Sequence, residues 1–117
     1  MKNVIIFSSD ATMCLNFLMY LHDDYNVTTT TDFSVLNIMT SNLNLDMVII
    51  DTEPSKQIEE FCSKIKAIKP QLLVVLTYVY DNHVKDFDKS IRKYANTIFY
   101  KPFDLNEVTK QLMALFV

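Results

Sequence analysis

Unbroken apolar runs alternate along the chain with stretches in which apolar residues return every third or fourth position. Val4-Ile5-Ile6-Phe7 is continuous and ends in Ser8-Ser9-Asp10. Four apolar side chains in a row suit a strand buried on both faces. Cys14, Leu15, Leu18, Leu21 and His22 then recur at helical spacing. The segment Tyr25 to Thr30 is β-branched but polar, which predicts a short edge strand. Asp32 is placed to cap a helix whose apolar positions are Val35, Leu36, Met39 and Leu43. The third strand is expected over Leu45 to Ile50, ending at Asp51, and Ser55 caps the next helix. There Ile58, Phe61, Cys62, Ile65 and Ile68 form the clearest amphipathic stripe in the chain, stopped by Lys69-Pro70. Leu72 to Leu76 reads as a strand ending at Thr77, and Val84, Phe87, Ile91 and Tyr94 mark a fourth helix. A last strand, Thr97 to Tyr100, ends at Lys101-Pro102. Asp104 with Glu107 makes a capping-box-like start to a helix carrying Val108, Leu112 and Leu115.

The result is five strand-then-helix repeats of roughly 22 residues, and strict alternation predicts an α/β fold with a parallel sheet and helices on both faces. In such sheets a site lies outside the carboxyl ends of the strands. The residues at those ends are Ser8, Ser9, Asp10, Asp51, Thr77 and Lys101.

Composition narrows the functions open to this fold. The 117 residues suit one domain spanning 1–117. The net charge of −3 argues against a sequence-independent nucleic-acid binder. The longest mainly apolar run, Leu72 to Tyr80, falls short of the roughly 20 residues a membrane span needs, and Val4 to Phe7 is too short for a signal-peptide core. A soluble cytoplasmic protein is the expectation. Cys14 and Cys62 lack CxxC spacing and read as small core hydrophobes, and His22 and His83 sit in no ligand-type cluster. Glycine is absent altogether, which excludes glycine-rich phosphate loops and makes a nucleotide-binding enzyme improbable. Asn42, Asn44 and Asn96 are the candidates for left-handed turn positions in its place.

A carboxylate, a hydroxyl and a lysine at three strand ends form a set suited to phosphate chemistry. Asp51 can attack phosphorus to form an acyl phosphate, Thr77 can donate to a phosphoryl oxygen, and Lys101 can set a positive charge against the same group.

Val48-Ile49-Ile50-Asp51, Val74-Val75-Leu76-Thr77 and Phe99-Tyr100-Lys101-Pro102-Phe103 together resemble the response-regulator receiver domain, over essentially the whole chain. The likeness implies a flavodoxin-like, doubly wound (βα)5 fold with strand order 2-1-3-4-5. It places Asp51 at the phosphoacceptor position, Thr77 at the switch hydroxyl and Lys101 at the phosphate-pairing lysine, with a cis peptide before Pro102. It also implies a signalling partner: a histidine kinase, a phosphotransfer protein or an effector. Contact, or a homodimer, is expected through the fourth helix, fifth strand and fifth helix.

The departures from the pattern bear on activity. Receivers carry two acidic residues after the first strand to hold Mg²⁺, and here those positions read Ser8-Ser9. The small residue after the switch hydroxyl is replaced by Tyr78, expected to cover the site, and the switch aromatic is replaced by Ile98. A net loss of about 2–3 kcal/mol from one missing carboxylate weakens cation binding some 30- to 150-fold. Weak or absent Mg²⁺ binding is therefore expected, with Asp51, Asp10 and Glu53 as the carboxylates of any residual site. Lys101 is then the natural partner of Asp51, and Asp10 a helix cap. The reading is a stand-alone receiver that acts by protein–protein contact, with phosphorylation at Asp51 weak or absent. It would be no enzyme beyond its own phosphorylation and dephosphorylation, and no other cofactor is expected. A competent Mg²⁺-dependent phosphoacceptor is the second reading, and a small flavodoxin-like enzyme or flavin binder the third. The charges Lys85, Asp86, Asp88, Lys89, Arg92 and Lys93 form either a solvated face or a partner surface.

Overall fold

The computed structural model describes residues 1–116, residue 42 by its backbone alone. Five strands, β1 (Lys2–Ser8), β2 (Tyr25–Thr30), β3 (Met47–Asp51), β4 (Leu73–Tyr78) and β5 (Thr97–Tyr100), alternate with helices α1 (Ala11–Leu21), α2 (Phe33–Asn42), α3 (Lys56–Ile68), α4 (Lys85–Ile91) and α5 (Leu105–Leu115). A single 3-10 turn, Asn82–Val84, leads into α4. All strand pairings are parallel, in the order β2-β1-β3-β4-β5, as the resemblance implies.

Alternation along the central strands divides the core. Val4, Ile6, Met47, Ile49 and Val75 face α1 and α5, where Phe17, Leu21, Val108 and Leu112 cover them. Ile5, Phe7, Val48, Ile50, Val74 and Leu76 face α2, α3 and α4, under Leu36, Phe61, Cys62 and Ile91. Burial on both faces is why β1 and β3 contain uninterrupted apolar runs. The polar β2 lies at the edge, where one side of its ladder is unpaired.

The expected caps form: Asp32 accepts from Ser34 N–H, Ser55 from Ile58 N–H and Asp104 from Asn106 N–H. Glu107 does not close a box with Asp104; it reaches Lys110. No described residue has positive φ, so Asn44 and Asn96 are not left-handed turn residues. The side chain of Asn96 works instead as an acceptor, taking Val74 N–H at 2.8 Å and Lys66 Nζ at 2.7 Å. Lys69 Nζ donates to Thr40 O and Leu43 O, satisfying carbonyls at the end of α2 that a left-handed cap commonly serves.

Helix faces differ from the expectation in four helices. In α2, of the apolar positions expected inside, only Leu36 is buried, while Val35 and Leu43 are exposed. In α1 the buried set is Cys14, Phe17 and Leu21, while Leu15 and His22 are exposed. Ile68 lies exposed at the end of α3. In α4, Asp88 and Ile91 point inward, as does Val84 just before it, and Phe87 points outward. No helix among the described residues is long and apolar enough to cross a membrane.

Candidate functional site

Parallel register brings Ser8, Asp51 and Thr77 side by side at the carboxyl edge of β1, β3 and β4. Lys101 follows β5 and joins Pro102 through a cis peptide. The Asp51 side chain is 3% exposed. Its Oδ2 accepts from Ser8 Oγ at 2.6 Å, and its Oδ1 accepts from Thr77 Oγ1 at 2.6 Å and pairs with Lys101 Nζ at 2.8 Å. Ser8 Oγ in turn accepts from Asp10 N–H at 3.0 Å. One hydroxyl thus ties the buried carboxylate to the turn entering α1. Both carboxylate oxygens are engaged, and the lysine cancels the charge. A buried anion needs this kind of pairing, because desolvation without it costs several kcal/mol.

The structure brings together Asp51, Thr77, Lys101 and Ser8. Ser9 and Asp10 lie exposed beyond β1, and Asp10 Oδ1 is occupied by Thr12 N–H as the cap of α1. Glu53 is exposed and turns to His83, with 3.0 Å between Oε2 and Nε2, rather than to Lys101 or Asp51. Asp51, Asp10 and Glu53 therefore do not converge, and no cluster of three or more His, Cys, Asp or Glu among the described residues has the arrangement of a metal site. As placed, one carboxylate with three donors on it does not fit the oxygen-rich octahedral shell of Mg²⁺.

His83 sits between two carboxylates, Glu53 on Nε2 and Asp81 on Nδ1. A neutral imidazole has one N–H and serves only one of them, so the arrangement suits the imidazolium. The hydrogen bond that His83 donates to Glu53, aided by Asp81, raises the His83 pKa above its ordinary value. A raised pKa means that the tie between the loops after β3 and β4 is complete below the unfolded histidine value, near 6.5, and is lost as pH rises through the folded one. In a proton NMR titration, Glu53→Gln is expected to lower the His83 midpoint; an unchanged midpoint would show that the contact does not form in solution.

Tyr78 does not cover the site. It is 2% exposed and packs inward against α4, its hydroxyl donating to Asp88 Oδ1 at 2.5 Å. Ile98 is half-buried on β5 against the α3–α4 side of the core, and Pro102 is exposed. Phe99 faces the core while Tyr100 faces outward.

A second buried carboxylate escaped the reading of the sequence. Asp88 is 5% exposed and accepts from Tyr78 and Tyr100 on Oδ1, the latter at 2.7 Å, and from Arg92 Nε on Oδ2 at 3.2 Å. The spacing Val84, Asp88, Ile91 is the signal that could have placed it inside. Burial opposes its charge, but the hydrogen bonds from Tyr78 and Tyr100 and the Arg92 charge outweigh that and hold the carboxyl below its ordinary range. Burial and the hydrogen bond to Asp88 push the hydroxyl pKa values of Tyr78 and Tyr100 upward. The depressed acid stabilises the fold above about pH 4, with that contribution lost as pH falls through its folded value; the raised phenols stabilise it below about pH 10, with that contribution lost as pH rises. The contribution of this cluster to denaturant stability is expected to be level between these limits and to fall beyond each. In Tyr78→Phe the alkaline decline should be shallower; a decline identical to that of the parent would exclude the assignment.

A cavity of about 290 Å³ opens beside this cluster, lined by Tyr80, Asp88, Arg92, Tyr100 and Lys101. A larger depression of about 720 Å³ lies at the opposite edge of the sheet, at the amino ends of the strands, and touches none of the residues around Asp51.

No protein-family model and no curated protein matches the sequence. Solved structures do. A response regulator from Thermotoga maritima superposes with a TM-score of 0.84 at 18% identity, over 97% of this chain and 96% of that one. A CheY-like response regulator receiver domain protein from Methanospirillum hungatei JF-1 gives 0.82 at 14% identity, over 97% and 92%. A streptococcal protein described within a family of redox sensors evolved from two-component response regulators gives 0.85 at 13% identity, over 99% of this chain and 51% of that one. At these identities the likeness is one of architecture: the chain has the fold of response-regulator receiver domains.

Proposed function

We propose that this chain is a receiver-type signalling module of a two-component or phosphorelay system that acts by protein–protein contact, with Mg²⁺-dependent phosphorylation at Asp51 weak or absent. The observation that carries this reading is the closure of Asp51 on Ser8, Thr77 and Lys101. In phosphoryl transfer an Asp51 oxygen would attack phosphorus while the bond from phosphorus to its leaving group breaks. Thr77 would donate to a phosphoryl oxygen and the Lys101 charge would offset the phosphoryl oxygens. Before that can happen the attacking oxygen must be freed for phosphorus, and among the described residues no second carboxylate stands by to bind the divalent cation that would offset the incoming charge. The streptococcal protein, described within a family of redox sensors evolved from two-component response regulators, is consistent with the reading.

The contact surface of this proposal is the outer side of α4 and β5. Phe87 and Tyr100 are exposed there, with Val79 and Tyr80 in the loop after β4, and the exposed charges of α4 and its end are Lys85, Asp86, Lys89, Arg92 and Lys93. Aromatic residues and arginine are enriched at contact surfaces. On a chain of net charge −3 this basic, aromatic patch is complementary to an acidic segment of a partner protein, and that is the occupant proposed. The setting is taken to be cytoplasmic, and the module to have no catalytic role toward other molecules.

Incubation with phosphoramidate and Mg²⁺, followed by intact mass, tests the reading. A trace or absent adduct is expected. A stoichiometric phosphoryl adduct that disappears in Asp51→Asn would establish the competent phosphoacceptor instead, a reading favoured by the retained Asp51, Thr77 and Lys101.

A further inference from the structure

Asp88 is a buried charged group that the Asp51 site does not use. Its three donors come from three elements: Tyr78 ends β4, Tyr100 ends β5, and Arg92 follows α4. Tyr100 also contacts Tyr78 and Tyr80 edge-on, at 5.6 and 5.5 Å between ring centroids, and the Arg92 guanidinium lies 5.9 Å from the Tyr100 ring. The inner side of α4 is thus fastened to two strand ends by a charged, desolvated hydrogen-bonded group.

Tyr78 is the neighbour of Thr77, and Tyr100 the neighbour of Lys101. The backbone joins the pairs as well, Lys101 N–H donating to Tyr78 O at 2.9 Å. Yet the two carboxylates share no side-chain donor. Thr77 and Lys101 serve Asp51, while Tyr78, Tyr100 and Arg92 serve Asp88. Moving α4 away would strip the two tyrosine donors from a buried anion, Arg92 travelling with the helix, whereas changing the charge of Asp51 removes neither of them. Reversing a two-state placement, from about 1:99 to 99:1, requires a differential interaction of about 10⁴-fold. Nothing in the contacts of Asp51 reaches Asp88 directly to provide it.

We propose that Asp88 is a positioning residue that holds α4 in one place, so that the aromatic, basic face is preset and independent of the state of Asp51. The functional value of the preset face rests on the contact reading above; the holding of α4 does not.

Amide hydrogen exchange across α4 tests it, in the parent chain, Asp51→Asn, Asp88→Asn and Tyr78→Phe. Asp51→Asn is expected to leave exchange across residues 85–91 within about twofold of the parent, whereas Asp88→Asn is expected to speed it by about tenfold or more. Removing one donor costs a factor of roughly 10 in a local opening equilibrium, so Tyr78→Phe keeps the test informative should Asp88→Asn fail to fold. Equal acceleration in Asp51→Asn and Asp88→Asn would overturn the independence, and unchanged exchange in both Asp88→Asn and Tyr78→Phe would overturn the role of Asp88. Stoichiometric phosphorylation at Asp51 would defeat the contact-only function without touching these outcomes, so the two failures are distinguishable.

Discussion

Lys101→Met is expected to destabilise the fold by about 2–4 kcal/mol, with most of the loss recovered when Asp51→Asn is added. Methionine keeps much of the apolar stem and removes the ammonium. Asp51, with 3% of its side chain exposed, is then a buried anion facing only two hydroxyls. Breaking a buried pair from one side costs about 3–5 kcal/mol, and the partial exposure of Lys101 admits water that reduces this. Asp51→Asn alone should cost about 1 kcal/mol or less, because the amide oxygen still accepts from one hydroxyl and Lys101 can hydrate. Urea unfolding of the two single variants and the double variant measures the coupling. If the single effects simply add, Asp51 and Lys101 are not paired in solution.

The second large effect runs in the direction of gain. Ser8→Asp combined with Ser9→Asp adds one carboxylate beside Asp51 and a second on the exposed turn that follows β1. Mg²⁺ affinity is expected to rise at least about 30-fold, the equivalent of about 2 kcal/mol. Ser8 is buried and donates to Asp51, so an aspartate there sets like charges against each other when no cation is present. The variant should melt below the parent in chelator and recover with Mg²⁺, by about 2.7 kcal/mol when the ion stands at 100 times its dissociation constant. The parent should show little Mg²⁺ response. Equal responses of parent and variant would refute the claim that Ser8 and Ser9 leave the cleft short of negative charge.

The sheet was legible because burial on both faces leaves an unmistakable record: Val4 to Phe7 and Met47 to Ile50 cannot be amphipathic helices of useful length. Asp51, Thr77 and Lys101 were legible because a parallel sheet collects strand-end side chains along one edge, wherever they stand in the chain. Asp10 and Glu53 were not, since where a side chain turns is decided by local donors, Thr12 N–H for one and His83 for the other. Phe17 replaced Leu15 on the buried side of α1 because a uniformly apolar helix gives periodicity little contrast. Asp88 was lost among Lys85, Asp86 and Lys89, where charge reads as solvated. Its burial depends on two tyrosines and an arginine whose convergence only the folded chain displays. Tyr78, which follows Thr77 in sequence, does not lie over Asp51. Alternation along β4 sends it to the side of the sheet on which α4 packs.

The central claim is that Asp51 is satisfied from within, by Ser8, Thr77 and Lys101, and holds no divalent ion. The Lys101 ammonium reports on this directly, because a salt-bridged ammonium exchanges its protons slowly enough to appear in a proton–nitrogen correlation spectrum, whereas a free one does not. A Lys101 signal that is visible without metal, unchanged on adding millimolar Mg²⁺ and lost in Asp51→Asn is the result predicted. A signal that is absent in the metal-free protein, or that shifts and broadens as Mg²⁺ is titrated in, would contradict it.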